Sequence, residues 1–263
     1  MNVSLKLTPL EELMLHQDSP SYPCALFVKL YFRGRLAQQP FEMAVRAASE
    51  RHPLLRARIR RSRAVPQWEI CEQAVPRVTW QEVEIGEPGW VERPVVDYLN
   101  IERRGMQLYV QRGQVRSVVW LQIHHACCDG LGAYQFVEDL LLLYAELTGE
   151  GGSSQRLSTL EPQRLARRGS LSLPAAKLLA MLPRQTVGLS GVCKFALHAP
   201  VPVLPHEREA SDAPLAEPYP AICSHQFDLE FSRKLGQQAR TKGVTTNELL
   251  CSSLFEALHA FRQ

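Results

Sequence analysis

His124-His125-Ala126-Cys127-Cys128-Asp129-Gly130 is the stretch on which the fold turns, because it joins two segments of different periodicity. Before it, Val115 to Ile123 is rich in Val, Trp, Leu and Ile and reads as a strand. After it, Leu131 to Leu147 places Phe136, Leu140, Leu143, Tyr144 and Leu147 on one stripe, with Glu138, Asp139 and Glu146 off it, the pattern of a helix with one buried face. Thr148-Gly149 ends that helix. Polar side chains between a strand end and a helix start are where α/β sites are usually built, since the flanking elements hold them rigidly.

Four chemistries compete for this stretch. Metal binding by two histidines, a cysteine and an aspartate is opposed by geometry, because adjacent residues on a strand face opposite ways and His124 and His125 do not easily share one ion. A nucleophilic Cys127 or Cys128 with a histidine base requires a depressed thiol pKa. A structural reading makes both histidines satisfied polar residues of a turn. General-base catalysis requires one imidazole facing a cleft, where it takes a proton from an attacking hydroxyl or amine and contributes about 10²–10⁴ in rate.

Outward from the stretch, Met106 to Gln111 reads as a second strand, joined to the first by Arg112-Gly113-Gln114 as a hairpin-like turn. Upstream, Ala25 to Phe32 reads as a strand closed by Gly34, and Leu55 to Ile59 and Gln67 to Cys71 as shorter ones. Between them Phe41, Ala44, Val45 and Ala48 recur at helical spacing from Pro40 to Arg51, and Pro53 limits that helix. Downstream, Glu150 to Pro220 holds nine of the chain's 18 prolines and opens on Gly151-Gly152-Ser153-Ser154, so long connections are expected there, with Leu173 to Met181 as a short helix. Beyond Pro220, Ile222 to Leu229 reads as a strand and Ser232 to Thr241 as a helix stopped by Gly243. A last helix starts at Thr246, with Thr245 and Glu248 as its capping box.

Bulk properties exclude several classes. At 263 residues with 45% apolar and 22% charged residues, the chain is neither disordered nor fibrous, and its length lies near the point where single cores divide. A net charge of +3 names no nucleic acid or anionic membrane as partner. The seven cysteines form no C-x-x-C pair, so free thiols in a reducing cytosol are expected rather than a zinc ribbon or a disulfide framework. No apolar run approaches a membrane span, and the expectation is a soluble cytoplasmic protein. No Gly-rich phosphate loop and no G-x-S-x-G elbow occurs, which removes the main support for nucleotide-dependent and serine-hydrolase chemistry.

H-H-x-x-x-D-G at a strand end resembles the signature of the CoA-dependent acyltransferase superfamily, with its chloramphenicol acetyltransferase-like fold. That superfamily includes peptide-synthetase condensation domains, wax ester synthases and polyketide-associated acyltransferases. Arg51-His52-Pro53-Leu54-Leu55-Arg56 resembles its upstream R-H-x-x-L-R motif, and Gly243-Val244-Thr245-Thr246-Asn247-Glu248 looks like the start of its second lobe. The resemblance implies an α/β fold, an α+β two-layer sandwich with a mixed sheet flanked by helices. It implies His125 as the catalytic base, His124 as a structural residue, and Asp129 paired with Arg56 to lock the turn. Gly130 would leave room for close approach. The implied reaction moves an acyl group from an acyl-CoA or an acylated phosphopantetheine carrier protein to a small-molecule alcohol or amine. It requires no metal and no tightly bound cofactor, and the resemblance implies no nucleic-acid partner.

On this basis residues 1–195 are expected to form the N-terminal lobe, 196–220 a Pro-rich interlobe linker and 221–263 the beginning of a second lobe. The family's channel lies between two lobes of similar size, so the chain reads as truncated, and the alternative is a non-catalytic remnant or binding module of the same fold. Leu7-Thr8-Pro9-Leu10-Glu11-Glu12 lacks the aromatic-rich first motif of condensation domains, and Pro53 replaces an acidic residue common there. Both features lean toward a free-standing O-acyltransferase.

Overall fold

The computed structural model describes residues 2–20, 22–61, 65–71, 74–83, 97–150, 156–161, 165–169, 180, 188–194, 197 and 225–262. The expected helix at Leu173 to Met181 and the linker 196–220 lie almost wholly outside them. The chain divides into two compact units, one of Met1–Leu171 with Ser211–Pro220 and one of Ser172–Ala210 with Ala221–Gln263.

Among the described residues, the first unit holds two sheets. The larger has the order β2-β7-β6-β5, from β2 (Ala25–Arg33), β7 (Arg116–His124), β6 (Met106–Arg112) and β5 (Arg77–Glu82). It is mixed, because β5 runs parallel to β6 while the other pairs are antiparallel. The smaller has the order β1-β4-β3, from β1 (Asn2–Lys6), β4 (Gln67–Cys71) and β3 (Ala57–Arg60), all antiparallel. β7 lies between β2 and β6, so Ser117 to His124 are buried on both faces.

Helices accompany the sheets. α1 (Pro9–Gln17) starts with a capping box in which Thr8 and Glu11 satisfy each other's backbone N–H groups. α2 (Gln38–Arg51) buries Phe41, Ala44, Val45 and Ala48 completely, the stripe its spacing predicts. α3 (Gly130–Thr148) buries Ala133, Phe136, Val137 and Leu140 and ends on Gly149, whose φ of 76° only glycine adopts without strain. α2 and α3 share one core with Leu108, Val110, Val119, Leu121 and Ile123 of the larger sheet and Trp68 and Ile70 of the smaller. Burying a side chain such as Phe136 or Leu121 stabilises by about 1.5–3 kcal/mol. On the sheet's other face Tyr109, Val118 and Trp120 form a second cluster with Phe27.

The structure adds elements that hydrophobic patterning did not expose: β1, α1 and β5. It also shows that Pro53–Arg56 is a 3₁₀ turn leading into β3, where a strand from Leu55 was expected. In the second unit α4 spans Leu229–Thr241 and α5 Thr246–Arg262. The strand expected at Ile222 to Leu229 is not seen among the described residues: 225–228 are irregular and Leu229 already belongs to α4. Asp228 explains the difference, since its carboxylate accepts from Phe231 N at 2.7 Å and starts the helix three residues before Ser232. α5 has the expected capping box, with Thr245 N donating to Glu248 Oε2 at 2.7 Å and Glu248 N to Thr245 Oγ1 at 3.2 Å.

Candidate active site

The chain leaves β7 at His124 and turns through His125, Ala126 and Cys127 into α3. His124 is fully buried, with Ala126 N at one ring nitrogen and a carboxylate facing the other. Its Nδ1 accepts from Ala126 N at 3.1 Å, so the proton lies on Nε2, which is 3.3 Å from Asp18 Oδ2. Asp18 is itself held by Cys24 N, which donates to Oδ1 at 2.8 Å, and by the Tyr98 hydroxyl on Oδ2. Burial pushes the Asp18 carboxyl up, but hydrogen bonds from His124, Tyr98 and Cys24 outweigh it and hold the group below the usual carboxylate range. Nothing in the local sequence links Asp18 to this turn.

His125 is half-buried. Its backbone N–H donates to Cys24 O at 2.9 Å, which fixes the residue against the start of β2. Its Nδ1 is buried and has no hydrogen-bond partner among the described residues. The two histidines therefore differ in what their side chains face: His124 Nε2 faces a carboxylate, and His125 Nδ1 has no partner among the described residues.

Asp129 is the N-cap of α3, its Oδ1 accepting from Gly132 N at 2.8 Å. That oxygen is engaged in the cap; Arg56 closes the 3₁₀ turn. A Cβ at Gly130 would meet nothing within 4 Å, whereas one at Gly132 would lie 3.0 Å from Cys128 Cβ, so the packing constraint on this helix start falls on Gly132.

Burial drives the two thiols away from nucleophilic use. Cys127 is pushed well above the ordinary thiol range by burial, then by the charges of Cys128 and Glu11. Cys128 is pushed up to about 12 by burial and then by Asp129. A thiolate nucleophile needs the opposite shift. Among the described residues no group of three or more His, Cys, Asp or Glu is arranged to hold a metal ion. Cys24, Cys71, Cys127, Cys128, Cys193 and Cys251 are free thiols.

The R-H-x-x-L-R segment is tied to α3 by a partner that sequence reasoning missed. Asp139 Oδ2, 1% exposed, accepts from Arg51 Nε and His52 Nε2, each at 2.8 Å. Beside this group lies a cavity of about 890 Å³ whose walls include His52, Leu54, Cys127, Cys128, Leu160 and Arg168. His125 is not among its walls. Arg168 is fastened by Nε to Glu11 Oε1 at 2.7 Å, and Glu11 Oε2 also accepts from Trp68 Nε1 at 3.0 Å. No helix among the described residues is long and apolar enough to cross a membrane.

No family model and no curated protein matches the sequence. Solved structures do. The first condensation domain of the calcium-dependent antibiotic synthetase, in complex with a substrate analogue, matches with a TM-score of 0.69 at 19% identity, over 98% of this chain and 61% of that one. The X-domain from teicoplanin biosynthesis, solved in complex with OxyB, matches with a TM-score of 0.56 at 18% identity, over 98% of this chain and 57% of the other. A starter condensation domain of rhizomide synthetase, a double mutant with C8-CoA and Leu-SNAC, matches with a TM-score of 0.51 at 15% identity, over 66% of this chain and 42% of the other. The chain has the fold of these domains and spans between two fifths and two thirds of their length.

Proposed function

We propose that this chain carries the catalytic turn of an acyltransferase that moves an acyl group from a CoA or carrier-protein thioester to an alcohol or amine, with His125 as general base. The observation that supports it most is the contrast within the histidine pair. His124 Nδ1 accepts from Ala126 N and its Nε2 faces the Asp18 carboxylate at 3.3 Å, while His125 keeps a buried Nδ1 with no facing group of either kind among the described residues. An unsatisfied buried polar group costs about 1–3 kcal/mol, and a bound substrate group that restores the bond recovers it. The bound C8-CoA and Leu-SNAC in the rhizomide synthetase domain support thioesters as the substrate class.

In this reading the acceptor O–H or N–H gives its proton to the His125 imidazole as its heteroatom attacks the thioester carbonyl. The new carbon–heteroatom bond produces a tetrahedral oxyanion. As that collapses, the carbon–sulfur bond breaks and the imidazolium returns the proton to the leaving thiolate. General-base help of this kind contributes about 10²–10⁴, and holding both substrates in register contributes further. His124, Asp129, Gly130 and Arg56 support the turn and touch neither substrate.

The test is His125→Ala in the protein that carries this chain, assayed with octanoyl-CoA and N-acetylcysteamine thioesters against a panel of alcohols and amines. A fall of about 10²–10⁴ in turnover is expected, and near-wild-type turnover removes His125 from the role. A second reading, a binding module that keeps the turn for packing, is favoured by the likeness to an X-domain that was solved bound to OxyB. Wild-type protein that turns over no thioester yet binds a partner protein with unchanged affinity after His125→Ala would establish it.

A further inference from the structure

We infer that Asp18 is the positioning residue of this turn, holding His125 through three consecutive backbone positions; the inference rests on the reading of His125 as the base. Asp18 caps the end of α1 and its side chain is 6% exposed. Its Oδ2 faces His124 Nε2, and His124 Nδ1 accepts from Ala126 N, so the carboxylate holds residues 124 and 126 through one imidazole. Its Oδ1 accepts from Cys24 N, and Cys24 O accepts from His125 N, so the same carboxylate holds residue 125 through one peptide unit. The residues on both sides of His125 and His125 itself are thereby tied to one side chain.

The arrangement depends on charge and not only on shape. An ionised carboxylate is acceptor-only; it takes the Cys24 N–H and the Tyr98 hydroxyl and faces the His124 Nε2–H at 3.3 Å. In Asp18→Asn the amide NH₂ either replaces Oδ2, and meets two donors with a donor, or replaces Oδ1, and meets the Cys24 N–H. In the first case the imidazole relieves the clash by moving its proton to Nδ1, which removes the acceptor for Ala126 N. In the second case the Cys24 link to His125 N is broken instead. Either way one of the two holds on His125 is lost while the volume of the side chain is unchanged. A buried polar network that ties down backbone in this manner goes beyond what stability requires, since an apolar pair of similar volume stabilises a core as well or better.

The experiment is Asp18→Asn, read by kcat and KM for the thioester and by nitrogen NMR of His124 in ring-labelled protein. Expected are a kcat about 10²-fold lower with KM nearly unchanged, as for a misplaced catalytic group, together with loss of the Nε2–H tautomer of His124 or of the hydrogen-exchange protection of the His125 amide. Asp18→Asn with wild-type kcat, wild-type tautomer and a protected His125 amide overturns the inference. A kcat loss with both NMR signatures unchanged overturns it as well, because the loss then does not pass through the turn. Should Asp18→Asn fail to fold, Tyr98→Phe removes one donor from Oδ2 and is expected to shift the His124 Nε2–H resonance; an unmoved resonance is then the refuting result. Wild-type turnover in His125→Ala would instead refute the reading of the base, while the NMR signatures of Asp18→Asn still report on the hold itself.

Discussion

Gly105→Ala puts the packing behind the turn to a quantitative test. A Cβ on Gly105 would lie 2.5 Å from Cys127 Sγ, 3.0 Å from Leu54 O and 3.2 Å from Ala57 O. Carbon atoms prefer separations of about 3.5–4.0 Å, so all three neighbours would have to move. Two are backbone carbonyls and the third is the side chain of a buried residue in the turn. Overpacking of this kind costs about 1–3 kcal/mol, which lowers the melting midpoint by about 4–8 °C for a 2 kcal/mol loss in a unit of this size. Gly105 O also accepts from His124 N at 2.9 Å, so displacement of that backbone reaches the histidine pair and lowers turnover. The assay is urea unfolding of Gly105→Ala, Cys127→Ala and the double variant. Trimming the thiol removes the shortest contact, so the double variant should recover about 1 kcal/mol relative to the sum of the singles. A Gly105→Ala variant as stable as wild type, or strict additivity in the cycle, would refute the contact as the source of the cost.

Two further outcomes follow from the same neighbourhood. Asp18 has a depressed carboxyl pKa, so it contributes stability that is present above about pH 4, the unfolded value, and is lost as pH falls through its folded value. The stability difference between wild type and Asp18→Asn should therefore shrink below about pH 4 in a urea titration series, and a difference constant down to full protonation would show that the carboxylate charge is irrelevant. Iodoacetamide at pH 8 should label exposed Cys193 and Cys251 well before Cys127 and Cys128, whose thiols are pushed up by burial. Mass-spectrometric mapping reads this directly, and early labelling of Cys128 would restore the thiol as a candidate nucleophile.

How far the sequence foretells this molecule depends on the range of the interaction involved. β7 and α3 are legible because each is specified within its own residues: a β-branched and aromatic run in one case, a helical stripe in the other. The capping box at Thr245 is legible for the same reason, and the one at Thr8 carries the same signal, T-x-x-E, although hydrophobic periodicity alone passes over α1. The strand expected at Ile222 shows the limit of apolar content as a guide. Asp228 satisfies a helix-start N–H, and a single cap outweighs a short run of strand-favouring residues around it.

The site divides along the same line, and the division bears on mechanism. The motif resemblance singles out His125, and the structure supplies what distinguishes it from its neighbour: the partners of His124 come from the end of α1 and from the turn, whereas those of His125 are backbone alone. Asp18 and Asp139 leave no local trace because each acts on residues far away in the chain, one on the histidine turn and the other on Arg51 and His52. Both are buried carboxylates accepting from more than one donor, which is costly unless every lone pair is used. Two such groups flank a turn in which His125 Nδ1 is buried with no partner among the described residues, while His124 Nε2 faces the Asp18 carboxylate at 3.3 Å. Were the turn a packing device alone, a buried imidazole nitrogen short of a partner would be a cost with no return. Under the proposed reading of His125 as a base, the same nitrogen is a bond still to be made, on a residue whose backbone is already held.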